Sequence, residues 1–389
     1  MVALFSLAGL CEVCAYGQVT AFTPLHLPEI GIEPTEVAFW VGAITSASSV
    51  VGLPFLPFWG ALADRFGRKP LIIRSFVAAF VALALTAIAP NVWVFAVARG
   101  IQSLGLGNTG LMLATLAENA PRERVGLAFG LVNGANPVGA FLGPLVGGPI
   151  VDQVGFGALL ASDALVMALV VALLVFGYRD GFAPGKTTRS LTAMARDGVV
   201  LIVRSRRLRV LFPAYFVLFS GWMLAYIYVP LIVARLYSGT DPATVVGVVF
   251  GAGGVTALVA TPGIGALADR FGHWRTLLSG AVVMCGLWLL PYFARDLFTF
   301  TLLWALINGI VSGVFSVSFN VLAASATDAE RGRVMTFGYL PANMGFVLGP
   351  AIGSVVASVD VFLVFPTATA LTGLGLAAIV YAQRQPVAG

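Results

Sequence analysis

The chain has 389 residues, of which 59% are apolar and only 10% charged, with a formal net charge of +5 and a mean hydropathy of +0.96. Charged residues make up roughly a quarter of soluble globular domains, so a soluble fold is excluded: it has too little polar surface to cover this much apolar side chain. Lipid solvates such surface but requires every backbone polar group to be paired within the protein, as an α-helix does within one segment. A closed β-barrel would need short alternating strands, whereas this sequence has unbroken apolar runs of the ~20 residues that cross a ~30 Å hydrocarbon core.

In chain order these runs predict twelve spanning helices, over residues 2–27, 36–62, 70–90, 92–117, 124–151, 157–178, 210–234, 243–267, 275–293, 297–324, 333–358 and 360–382. The first run has no basic region before it, exceeds the apolar core of a signal peptide and contains Glu12, so it reads as a spanning helix. Its start at residue 2 leaves almost no tail, which allows for further residues upstream. Lys and Arg stay on the cytoplasmic side. With both termini inside, 19 of the 22 basic residues are cytoplasmic; the others are Arg235 and Arg295 on the outer side and Arg99 within a span. The basic pI of 9.3 therefore reports orientation and not nucleic-acid binding. Cys11 and Cys14 form a C-x-x-C, but no second pair and no nearby His completes a metal site, so no metal or cofactor is expected.

The chain repeats itself. GALADRFG occurs at Gly60–Gly67 and again at Gly265–Gly272, an offset of 205 residues. Gly139-x-x-x-Gly143-Pro144-x-x-Gly147 recurs as Gly345-x-x-x-Gly349-Pro350-x-x-Gly353 at an offset of 206. Spans 1–6 thus correspond to spans 7–12, which divides the chain into an N-terminal six-helix bundle at 1–178, a cytoplasmic linker at 179–209 and a C-terminal bundle at 210–389. Two parallel halves related by an axis along the membrane normal are a device of transporters that work by alternating access.

GALADRFGRKP (Gly60–Pro70) resembles the signature between helices 2 and 3 of the major facilitator superfamily, and Arg99-Gly-x-Gln102-x-x-Gly105 resembles its helix 4 signature. GAFLGPLVGG, holding Gly139, Gly143, Pro144, Gly147 and Gly148, resembles the helix 5 motif of its antiporters. The second loop copy departs from the signature, ending His273-Trp274-Arg275, and helix 4 has Ser103 where the family often has Gly. The resemblance implies an all-α, twelve-helix fold and a gate at the cytoplasmic face. There Gly60, Asp64, Arg65, Gly67 and Arg68 would work with Asp269 and Arg270 of the second copy. Asp64 would approach the start of helix 11 near Arg331 and Arg333, and Asp269 that of helix 5 near Arg122 and Arg124, where helix dipole and Arg both favour an anion. Gly60 and Gly67 are expected to allow close backbone approach and a tight turn. The helix 5 glycines also read as a packing face, and Pro137, Pro144 and Pro149 as causes of bending.

Charges inside spans are expensive and mark function by default. Counting ~1.5 Å per residue from the outer helix ends puts Glu12 ~18 Å deep, Arg99 ~12 Å deep and Asp163 ~10 Å deep. Glu12 and Arg99 lie at comparable heights on helices that the resemblance implies line a central cavity, as helices 7 and 10 do. Glu12 is the expected proton-coupling carboxylate and Arg99 the residue that tunes it. Asn108 and Met112, Asn133 and Asn136, Tyr215, Trp222 and Tyr226, and Trp304 and Asn308 are the expected cavity residues; the helix 7 aromatics, at spacings of seven and four, share a face. A single carboxylate among aromatic walls suits lipophilic cations. The expected function is export of small amphiphilic compounds in exchange for protons by a monomer in the inner membrane. Proton-coupled uptake of a sugar or metabolite, and lipid flipping, are the alternatives. With His26 and His273 its only histidines, and no H-E-x-x-H or G-x-S-x-G, the chain does not read as an enzyme.

Overall fold

The structure, a computed structural model, describes residues 1–55, 59, 62–63, 65–119, 125–179, 200–327, 330, 334–335 and 337–385, without the side chains of 118, 119, 125 and 136. Among these residues the regular structure is helical throughout: α1 (Val2–His26), α2 (Val37–Gly52), α3 (Arg68–Ala87), α4 (Val92–Ser103), α5 (Asn108–Asn119), α6 (Val125–Val154), α7 (Phe156–Gly177), α8 (Leu208–Tyr226), α9 (Val229–Leu236), α10 (Pro242–Phe271), α11 (His273–Leu289), α12 (Leu297–Ala324), α13 (Leu340–Val359) and α14 (Val364–Gln383). Local chemistry sets the ends. The Asn91 side chain accepts from the N–H groups of Trp93 and Val94 to start α4. Asp296 starts α12 by accepting from the Thr299 N–H at 2.8 Å and its hydroxyl at 2.7 Å, bonds that hold this carboxyl below its usual pKa.

Among the described residues ten segments are long and apolar enough to cross a membrane, and they match ten of the twelve expected spans. A further expected span is α6. The remaining one, expected as a continuous helix over 92–117, is broken at Leu104–Gly107 into α4 and α5. There the N–H groups of Leu104, Gly105 and Leu106 turn to carbonyls three residues back, at 3.1, 3.0 and 3.2 Å, and Gly107 takes a φ of 91° that favours glycine. In the second copy of GALADRFG the helix α10 continues through Phe271, beyond the expected end of that span at 267. Only the last glycine turns, with φ 94° at Gly272 and 89° at Gly67 in the first copy. A Cβ on Gly265 would meet nothing within 4 Å, so no close approach occurs at the first glycine of that copy. Gly60, Asp64 and the linker from 180 to 199 lie outside the described residues.

Contacts divide the chain into two compact units: Met1–Pro34 with Ala47–Leu191 and Gly239–Val248, and Thr35–Ser46 with Thr192–Ser238 and Val249–Gly389. In the first, α1 runs along α6 and α3 packs on α7 and α4; in the second, α8 lies against α13 and α14. Lipid provides no hydrophobic drive for helices to associate, so small residues that let backbones meet do that work. A Cβ on Gly139 would lie 3.0 Å from the Leu10 carbonyl oxygen, and one on Gly143 2.9 Å from the Cys14 Cα. The repeat is the same in the second unit, where a Cβ on Gly345 would lie 3.0 Å from the Phe219 backbone and one on Gly349 2.9 Å from the Leu224 nitrogen. Gly148 faces instead the first turn of α10, within the first unit, and Asp152 one turn on accepts from the N–H groups of Ala243 at 3.1 Å and Thr244 at 2.7 Å. That helix start has no intrahelical partners for these donors, and the carboxylate supplies them.

Gly143→Ala is expected to force α1 and α6 apart, costing about 1–3 kcal/mol and lowering the melting temperature of the detergent-solubilised protein. Gly134→Ala on the same helix, whose Cβ would meet nothing within 4 Å, should leave it unchanged or raise it.

Candidate functional site

Glu12 projects from α1 toward the break between α4 and α5. The Asn108 side-chain amide, at the first position of α5, donates to Glu12 Oε2 at 3.0 Å, and a Cβ on Gly105 would lie 3.9 Å from Glu12 Oε1. The carboxylate therefore sits at the N-terminus of a half-helix, where unpaired N–H groups and the helix dipole favour negative charge. Asn108 is 3% exposed and its amide oxygen is buried without a partner. Met112, one turn further along α5, is fully buried, with its methyl 3.9 Å from where a Cβ on Gly9 would stand.

Arg99, 7% exposed, is directed elsewhere. Its Nη1 donates to Gln102 Oε1 on the same helix, and its guanidinium lies 5.4 Å from the centre of the Tyr16 ring. Glu12 and Arg99 thus flank one region of the first unit without forming an ion pair: each has its own partner. The sequence reading named Gln102 and Gly105 within the helix 4 signature but missed Tyr16, the pairing of Gln102 with Arg99 and the Gly105–Gly107 bend; the Gly-Leu-Gly-Asn run from Gly105 to Asn108 was the available signal for the bend. Asp163 on α7 is half-buried and has a carboxylate oxygen without a partner.

The second unit gathers the aromatic residues. Trp222 and Tyr226 meet at 5.4 Å between ring centres, and Tyr226 lies 6.1 Å from Trp304. Phe250, 5.1 Å from Tyr226, and Phe315, 6.4 Å from Trp222, complete the group and were not among the expected residues. Tyr215 is 2% exposed and, among the described residues, joins it through Phe219, at 6.4 Å, so it belongs to the packed interior. Asn308 donates to the Trp304 carbonyl at 3.0 Å on its own helix. In the first unit, Asn133 is exposed on α6, and the side chain of Asn136 lies outside the described residues.

Of the gate residues, Arg65 lies 5.3 Å from the Phe66 ring, and Arg68 is 7% exposed. Arg74, on α3, stacks on the Trp59 ring at 3.3 Å. In the second copy Asp269 is 79% exposed with His273 Nε2 3.6 Å away, and Arg270 lies 5.2 Å from the Phe271 ring. The Arg residues that the two aspartates would meet, Arg122, Arg124, Arg331 and Arg333, lie outside the described residues. Lys69 donates to the carbonyls of Val175 at 2.7 Å and Tyr178 at 2.5 Å, closing the C-terminal end of α7.

A family model described as Major Facilitator Superfamily matches this chain over residues 5–286 and 211–389. The multidrug resistance protein MdtG of Enterobacter lignolyticus (strain SCF1) is 28% identical over 346 residues, covering 88% of this chain and 82% of that protein. In fold the chain is similar to the crystal structure of nucleoside transporter NupG, with a TM-score of 0.80 at 14% identity over 99% of both chains. It is similar also to that of the D-xylose-proton symporter, with a TM-score of 0.73 at 15% identity over 99% of this chain and 97% of the other.

Asn108→Ala removes the hydrogen-bond partner of Glu12 and is expected to cost about 1–3 kcal/mol of stability. In a double-mutant cycle with Glu12→Gln, measured by thermal unfolding in detergent, the pair should show coupling above about 0.5 kcal/mol; strict additivity would contradict the contact.

Proposed function

This chain belongs to the Major Facilitator Superfamily, and on that premise we propose that it exports small amphiphilic, drug-like compounds across the inner membrane in exchange for protons. Glu12 is the coupling carboxylate. The observation that carries this reading is its place at the start of α5, hydrogen-bonded to Asn108 where a spanning helix is broken. Broken helices whose half-helix ends face charged groups are a recurrent feature of transporter sites. The multidrug resistance proteins similar to this chain support drug-like substrates, and the aromatic group of the second unit supports lipophilic cations, which ring faces attract.

Asn108 suits both states of the carboxyl. Its N–H₂ donates to ionised Glu12, and after rotation of the amide its oxygen, now without a partner, accepts from the protonated acid. A proton and a cationic substrate then compete for one negative charge. A proton from outside releases the substrate outward, and its loss inside readies the site again; entry of one proton down 100 mV supplies about 2.3 kcal/mol. Arg99, held by Gln102 and Tyr16, adds fixed positive charge to the same region and sets how readily Glu12 keeps a proton. The termini and the 179–209 linker are cytoplasmic, the GALADRFG copies form the inner gate, and one chain with its two halves is the working unit.

In proteoliposomes with an imposed pH gradient, wild-type protein is expected to move a labelled lipophilic cation against the proton flow, and Glu12→Gln, equally well folded, to lose that response. Accumulation of a sugar along the proton flow would favour uptake instead, and unchanged driven transport by Glu12→Gln would move the coupling role to another group, with Asp163 first. Orientation is checked by Gly185→Cys in a cysteine-free background, which should resist an impermeant maleimide in intact cells and react in inverted vesicles.

A further inference from the structure

Five aromatic residues of the second unit keep part of their surface exposed and follow one another in space. Tyr339, at the start of α13, is 57% exposed. Its ring centre lies 4.6 Å from that of Phe319, which lies 5.1 Å from Phe315. Phe315 is 6.4 Å from Trp222, and Trp222 is 5.4 Å from Tyr226. The series ends on Trp304, fully buried, 6.1 Å from Tyr226. The order follows from sequence spacing: Phe315 and Phe319 are one turn apart on α12, as Trp222 and Tyr226 are on α8.

Packing does not require this exposure. The rings that fill the interior beside them, Phe219 and Phe250, are 3% and 5% exposed. Trp222 Nε1 is buried with no hydrogen-bond partner, whereas a buried indole N–H usually has one. We propose that Tyr339, Phe319, Phe315, Trp222 and Tyr226 form a loading track for flat polycyclic aromatic cations. It leads from the cytoplasmic end of α13 to Trp222, the ring on which the cation settles. The proposal rests on the export reading and on its orientation. A fused-ring cation is longer than the gap between neighbouring rings, so it keeps two of them in contact as it moves. Ring faces attract its charge at each step.

The test is stopped-flow binding to the intact detergent-solubilised protein, with ethidium as the aromatic probe and tetrabutylammonium as an aliphatic cation of equal charge. Tyr339→Ala, Phe319→Ala and the volume-conserving Phe319→Leu are each expected to slow ethidium association about 2- to 5-fold with little change in Kd, because the lost ring is a way-station and not the endpoint. Trp222→Phe should weaken ethidium binding through faster dissociation, and tetrabutylammonium association should be unaffected throughout. Unchanged ethidium association in Tyr339→Ala and in both Phe319 variants, with binding intact, would overturn the track alone and leave these rings facing lipid. Equal slowing of both cations would also overturn it, as a general narrowing of access. Failure of the wild-type protein to bind either cation would overturn the export reading and the track with it.

Discussion

A backbone N–H or C=O in hydrocarbon has no water to turn to, and each one left unpaired costs several kcal/mol. Most of this chain obeys that constraint by unbroken helix. The break at Leu104–Gly107 departs from it, and what surrounds the break follows from that. Its amides retreat to carbonyls three residues back, and the Ser103 hydroxyl takes the Gly100 carbonyl at 2.6 Å. Polar side chains gather on either side of it: Arg99 with Gln102 on α4, and Asn108 on α5 with Glu12 from α1. A bend of this kind is tolerated only where the protein itself supplies polar partners, so the bend and the carboxylate explain each other.

Close helix contact is the second consequence of the same solvent. The Gly139, Gly143 and Gly147 seam brings α6 onto α1, the helix that carries Glu12, and Gly345 and Gly349 bring α13 onto α8, the helix that carries Trp222 and Tyr226, while Gly353 meets Tyr228 just beyond it. Each candidate binding element is therefore held by a glycine seam from a partner helix in its own unit. In the helix 5 motif, Gly139, Gly143 and Gly147 form a packing surface for α1, and Gly148 one for the start of α10.

The helical, membrane-spanning architecture was legible in the sequence because it depends on run length and composition, which leave little choice in lipid. The two GALADRFG copies made the internal repeat visible, and the intramembrane charges Glu12 and Arg99 stood out by their cost. The break in span 4 was not read because Gly105 and Gly107 sit in an apolar run that a spanning helix tolerates. The pairing of Glu12 with Asn108, and of Arg99 with Gln102, was hidden for a related reason: depth along a helix gives height but not direction. Phe250 and Phe315 escaped notice because single phenylalanines in spans are usually packing, and only tertiary contact with Trp222 and Tyr226 distinguishes them. Tyr215 illustrates the converse, since a shared helical face did not prevent its burial.

In the exchange we propose, a proton and a cationic substrate compete for the Glu12 carboxylate, and proton release measures that competition directly. Purified wild-type protein in weakly buffered detergent solution, given a saturating lipophilic cation, should release protons into the medium at a pH where Glu12 is protonated before binding. Glu12→Gln that still binds the cation should release none. Equal release from both proteins would contradict the role of Glu12 and place the exchanged proton on another group.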